Sequence, residues 1–144
     1  MAGNSKLKRS PIVEAIAQAE KDTTAEIRVH LSKRWVEKDP YLRALRLFHL
    51  FEMEKTTYRN AVLLYINLRK RKFAIVGDVG IHQAAGQHYW EQLARELKQH
   101  LISTHSERAI AMAVLSLGQA LKKYFPRDVT DADFNELPDE VTED

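Results

Sequence analysis

The sequence predicts an α/β fold, a three-layer sandwich in which a small mixed β-sheet is covered by helices on both faces. Three observations predict it. Residues Ala61–Asn67 (Ala-Val-Leu-Leu-Tyr-Ile-Asn) form an unbroken apolar run of strand length, the mark of a central strand covered on both sides. Residues Glu26–Ser32 alternate, with Ile27, Val29 and Leu31 on one side and Glu26, Arg28 and His30 on the other, which predicts a half-buried strand. The order strand, helix, strand, hairpin strand, then helices implies a parallel β-α-β crossover with an antiparallel strand added to it.

The elements follow in order. Residues 1–9 are polar and basic and are expected to be disordered. Ser10-Pro11 supplies a capping hydroxyl followed by proline at the first helical position. Ile12, Val13, Ile16 and Ala19 then make one apolar face, predicting a helix over about 11–21 that Asp22-Thr23-Thr24 breaks. After the first strand, Asp39-Pro40 starts a second helix, whose Tyr41, Leu45, Leu47, Phe48, Phe51 and Met53 carry the apolar face to about Glu54. The basic tip Arg69-Lys70-Arg71-Lys72 joins the central strand to a third strand, Phe73–Val76. A Gly77-Asp78-Val79-Gly80 loop leads into one long helix from about His82 to Leu101, with Ala85, Tyr89, Leu93 and Leu97 along one face and Trp90 beside them. Ser106 caps a last helix, Glu107–Tyr124, striped by Ile110, Ala113, Val114, Leu117 and Leu121 and stopped by Phe125-Pro126.

The chain of 144 residues fits one domain, 10–126, followed by a tail, 127–144. Apolar residues at 44% and charged residues at 29% are a soluble globular profile, and no apolar run nears the roughly 20 residues of a spanning helix. A cytoplasmic location is the default expectation. The absence of cysteine excludes disulfides, thiol catalysis and zinc–thiolate sites. The net charge of +2 hides an asymmetry: Asp128–Asp144 holds eight acidic residues and no Lys or Arg, leaving 22 basic and 12 acidic side chains in residues 1–127. The tail is expected to pack on its own domain through Phe134, Leu137 and Val141, because a solvated acidic tail gains nothing from them. Binding of nucleic acid is not expected, since a modest basic excess is a weak footprint and the basic tip has no interleaved aromatics.

The candidate site is the acidic turn after the third strand, a position that resembles the strand-to-helix ends where α/β proteins place ligands. Asp78, with Asn60 and Glu26 if the strands are neighbours, offers oxygen ligands to a hard cation, Ca2+ or Mg2+. Arg59 offers a bidentate grip on phosphate. The alternative is that Asp78 merely forms the turn. The histidines have no metal-ligand spacing: His82 and His88 are six apart on one helix.

Three segments together resemble a known family. They are Thr24-Ala25-Glu26-Ile27-Arg28-Val29, then Thr57-x-Arg59-Asn60-Ala61-Val62-Leu63-Leu64-Tyr65, then Lys72-Phe73-Ala74-Ile75-Val76-Gly77-Asp78-x-Gly80-Ile81. This pattern is similar to the TPM-domain family over about residues 10–126, and Asn135-Glu136-Leu137-Pro138-Asp139-Glu140-Val141 resembles the close of a short branch of it. The resemblance implies an α/β/α sandwich. It also implies either acid phosphatase activity with divalent-metal binding or an accessory role in assembling membrane complexes. Phosphatase-linked members carry further acidic residues after the third strand. Here Val79, Ile81, His82, Gln83, Ala84 and Ala85 follow, with no second carboxylate. The expectation is therefore a non-catalytic binding module with a protein partner, and the alternative is a metal-dependent phosphatase.

Overall fold

The structure, a computed structural model, describes residues 10–103, 106–127 and 141–144. Its sheet is built from β1 (Glu26–Ser32), β2 (Ala61–Asn67), β3 (Lys72–Gly77) and β4 (Val141–Glu143), in the spatial order β3-β2-β1-β4. β1 and β2 are parallel, with Glu26 opposite Ala61 and Ser32 opposite Asn67. β2 and β3 form the expected antiparallel hairpin, with Val62 opposite Gly77. The helices are α1 (Pro11–Glu20), α2 (Pro40–Leu50), α3 (Val79–Ala85), α4 (Gln87–Ser103) and α5 (Glu107–Tyr124).

Alternation along the strands sorts the core into two layers, as a period of two requires. Ile27, Val29, Leu31, Val62, Leu64, Ile66, Phe73 and Ile75 face the larger layer, where Ile12 and Ile16 of α1, Trp90 and Leu97 of α4, and Val114 and Leu117 of α5 pack against them. Leu63, Tyr65, Ala74 and Val76 face Ala44, Leu47, Phe48 and Met53 on the other side. The three-layer α/β sandwich predicted from the run at 61–67 is the observed fold.

Three expectations are corrected. β1 is buried along its whole length rather than on one face, because it is internal to the sheet and helices cover both sides. Its polar residues are therefore held rather than solvated: Arg28 lies 4.6 Å over the Phe51 ring, and His30 stacks on Tyr65 with centroids 5.7 Å apart. The second helix ends at Leu50 instead of near Glu54, and Glu52 turns the chain at φ 55°. The single helix expected from His82 to Leu101 is two helices, broken at Gly86, whose φ of 88° suits glycine and not an L side chain.

The start and end of the globular part are tied together. Thr24 N–H donates to Phe125 O at 3.0 Å and Arg127 N–H to Asp22 O at 3.0 Å, so the stop after α5 seats on the break after α1. In the tail, Phe134 and Leu137 lie outside the described residues. Val141 is partly buried against the larger core layer, as expected, and its segment adds β4 in parallel to β1, with Val29 opposite Val141 and Leu31 opposite Glu143. A strand there was not foreseen, since three residues carry too little pattern to read.

β4 is anchored through buried groups of β1 and α2. His30 Nδ1 meets Thr142 Oγ1 at 2.7 Å, His30 Nε2 lies 3.2 Å from the Asp144 carboxylate, and Arg43 donates to that same carboxylate. Burial pushes the His30 imidazole below its ordinary 6.5, against the pull of Asp144. Burial alone would raise the Asp144 carboxyl, but hydrogen bonds from Ser32 and Arg43 and the neighbouring His30 outweigh it and hold it below its usual value.

Two outcomes are expected from this packing. Gly118 of α5 faces α1 so closely that an added Cβ would stand 2.6 Å from Ala19 Cβ. Gly118→Ala should therefore lower unfolding free energy by about 1–3 kcal/mol in urea titrations, despite the roughly 1 kcal/mol that alanine gains over glycine in helix propensity. Ala19→Gly in the same chain should recover part of it. The second outcome concerns pH. The His30 contribution is complete above 6.5 and shrinks as pH falls below it toward the lowered folded-state value, because the unfolded chain then takes up a proton the folded chain resists. Thermal melts should show Tm declining through that window, with a flatter profile in His30→Gln.

Candidate functional site

β3 runs antiparallel to β2, so its end lies beside the beginning of the parallel strands, opposite Val62. The turn after β3 is thus at the N-terminal end of the β1–β2 pair. The position expected from the strand-to-helix rule is corrected: ligand crevices of α/β sheets open at the carboxyl ends of the parallel strands, which here lie at Ser32 and Asn67.

Asp78 caps α3, its Oδ1 accepting the Val79 N–H at 2.8 Å, so the helix begins directly after β3 and the Gly-Asp-Val-Gly stretch is not a loop. Arg59 approaches the same carboxylate from the turn before β2. Its Nε donates to Oδ2 at 2.7 Å and its Nη2 to Oδ1 at 2.9 Å, a two-pronged ion pair. The Asp78 side chain is 4% exposed and that of Arg59 is 48% exposed. The hydrogen bond and charge of Asp78 raise the Arg59 pKa above its ordinary value, against desolvation.

The backbone makes the same junction. Arg59 sits in the left-handed region at φ 51°, uncommon for a non-glycine residue, and its carbonyl accepts the Gly80 N–H at 2.8 Å. Gly80 is required by that approach: an added Cβ would stand 2.2 Å from Tyr58 O and 2.5 Å from Arg59 O. Asp78 N–H donates to Ala61 O at 3.0 Å, which ties the cap to β2. A loop, a strand and a helix therefore converge on Arg59 and Asp78.

Asn60, next in sequence, is fully buried. Its N–H donates to Thr56 Oγ1 and its Nδ2 to Thr24 Oγ1, each at 3.1 Å, while its Oδ1 has no hydrogen-bond partner among the described residues. Glu26 is buried at the start of β1, opposite Ala61. The width of β2 separates it from Asp78, about 10 Å between backbones from two interstrand spacings. The four residues named from sequence thus fall at one end of the sheet, and Arg59 and Asp78 are joined directly. A divalent cation fits this arrangement poorly. Both Asp78 oxygens already accept hydrogen bonds, the guanidinium occupies the place a cation would take, and Asn60 Oδ1 is the one orphaned oxygen among the set. No group of three or more His, Asp or Glu side chains disposed to hold a metal occurs among the described residues.

Sequence reasoning missed the opposite end of the sheet. There Glu37 is folded inward, accepting from Tyr65 Oη and, at 3.1 Å, from Asn67 Nδ2. Burial and that bond to Glu37 raise the Tyr65 pKa. The loop containing Glu37 leaves Trp35 and Val36 exposed, and Arg69 of the hairpin tip lies 3.7 Å over the Trp35 ring. The sequence signal was present in Lys-Arg-Trp-Val-Glu-Lys, where two apolar residues sit among charges outside any helical or strand period. The basic tip does have an aromatic beside it, supplied by a segment 34 positions earlier.

A family model described as the TPM domain matches residues 5–120. The structure is similar to the NMR structure of BA42 protein from the psychrophilic bacterium Bizionia argentinensis sp. nov. The TM-score is 0.79 at 34% identity, covering 92% of this chain and 90% of that one. No curated protein matches. No helix among the described residues is long and apolar enough to cross a membrane.

The pair at this site makes a stability prediction. Asp78→Ala removes the α3 cap and leaves the Arg59 donors without their acceptor, and should cost about 2 kcal/mol in urea denaturation, the upper part of the range for a lost cap. Asp78→Asn, which keeps a capping oxygen, should lose less.

Proposed function

The chain belongs to the TPM domain family, and from that premise we propose that it acts as a non-catalytic binding or accessory module for a protein partner. The observation that carries this reading is the two-pronged pair of Arg59 and Asp78. A carboxylate that holds a guanidinium with both oxygens and caps a helix with one of them is a structural joint. The donors that would grip a phosphate, Nε and Nη2, are the same donors that grip Asp78. Removing either partner would leave charge uncompensated beside a buried group, so the pair resists being opened for chemistry.

A second reading, a divalent-metal-dependent acid-phosphatase-like hydrolase, is favoured by one observation, the buried and unpartnered Asn60 Oδ1. In that reading Asp78, Asn60 and Glu26 hold Ca2+ or Mg2+ once the half-exposed Arg59 side chain swings away, and Arg59 orients the phosphate. The bound cation would supply charge neutralisation at the phosphoryl oxygens.

Calorimetric titration of the chelator-stripped protein with Ca2+ and with Mg2+, beside a phosphomonoester turnover assay, separates the two. The binding-module reading expects no metal heat at millimolar concentration and no turnover. Metal-dependent turnover abolished in a folded Asp78→Ala variant would overturn it in favour of the hydrolase.

A further inference from the structure

We propose that the loop after β1 and the neighbouring hairpin tip form a docking surface for an anionic lipid bilayer. This goes beyond the binding-module reading and stands on residues at the other end of the sheet from Arg59 and Asp78. Trp35 and Val36 are consecutive and point out of the fold at 70% and 66% exposure. Lys33, Arg34 and Lys38 of the same loop and Arg69, Lys70 and Arg71 of the tip are all exposed around them. Among the described residues, three exposed carboxylates stand beside these six cations: Asp39, which caps α2, and Glu143 and Asp144 at the end of β4. Glu37 is turned into the protein, and Asp144 is engaged by Arg43 and His30. An aromatic and an aliphatic side chain ringed by Lys and Arg is the composition that settles at a charged membrane interface, the apolar pair entering the headgroup boundary and the cations meeting lipid phosphates.

The backbone of the loop favours the same occupant. Three carbonyls of the loop are already satisfied from within the protein, which lowers the cost of taking the segment out of bulk water. Lys33 O accepts from Arg69 Nε at 2.7 Å, Arg34 O from Asn67 Nδ2 at 3.1 Å, and Glu37 O from Lys72 Nζ at 2.6 Å. Those bonds also lock the loop to the hairpin, so the surface exists before it meets a membrane. Single-stranded nucleic acid suits the patch less well. It offers one aromatic ring with Arg69 already over one face, and Val36 gives a base nothing to stack on.

The test uses the full chain with phosphatidylcholine vesicles, with and without phosphatidylglycerol, in flotation assays at low salt. Binding is expected only to the anionic vesicles, with a blue shift of tryptophan emission that Trp35→Phe removes, since Trp90 is buried in the core. Replacing Arg34, Lys70 and Arg71 together by Gln should weaken binding on the order of 100-fold, from about fivefold per cation near an anionic surface. Trp35→Ala with Val36→Ser should abolish it. All five side chains are exposed, and circular dichroism checks that the variants keep the fold. Three results would overturn the proposal: no flotation of the wild-type chain, flotation unchanged by Trp35→Ala with Val36→Ser, or competition by a single-stranded oligonucleotide that binds more tightly than the vesicles.

Discussion

Two parallel strands buried on both faces set the terms for everything else in this molecule. All fourteen residues of β1 and β2 are buried. In a helix-covered sheet of this kind, a backbone or side-chain polar group left facing apolar neighbours without a partner is costly. α2 is the crossover that parallel pairing demands, and it covers one face; α1, α4 and α5 cover the other. The polar residues of β1 then require their own solutions. Arg28 lies over Phe51, His30 meets Thr142 and Asp144, and the Ile27 N–H donates to Glu20 Oε2 at 2.7 Å. The short β4 is a consequence: the buried His30 and the free edge of β1 together give a three-residue strand enough contacts to dock.

The two ends of the sheet have different characters for the same reason. At the beginning of the parallel strands, the turn before β2 and the start of α3 must pass within contact distance, which selects Gly80, forces Arg59 into a left-handed backbone and joins it to Asp78. The charged groups there are absorbed by the joint. At the far end, three carbonyls of the loop after β1, those of Lys33, Arg34 and Glu37, are satisfied by Arg69, Asn67 and Lys72, and by that arrangement Trp35, Val36 and most of the cations are left facing outward. One end closes on itself and the other presents a surface.

Much of the fold was legible in the residues. β2 was readable because an apolar run of six, Ala61–Ile66, has few alternatives, and β1 because alternation survives even when both faces are covered. The helix starts at Ser10-Pro11, Asp39-Pro40 and Ser106 were readable because each is a local hydrogen-bonding device, and each caps as expected. Asp78 is the same device, but the flanking glycines suggested a loop. Their roles there are set by Tyr58, Arg59 and Trp90, far away in sequence, which no local pattern records.

By itself, then, the sequence determined the three-layer class, the three principal strands, the caps at Ser10, Asp39 and Ser106 and the family, because these depend on periodicity, capping chemistry and motif order within short windows. Only the tertiary structure decided that Arg59 grips Asp78, that Glu26 stands across β2 from that pair, that β4 completes the sheet, and that Arg69 meets Trp35. Each of these joins residues that are distant along the chain or on different strands. Such contacts follow from strand register and helix docking, which the whole core sets at once.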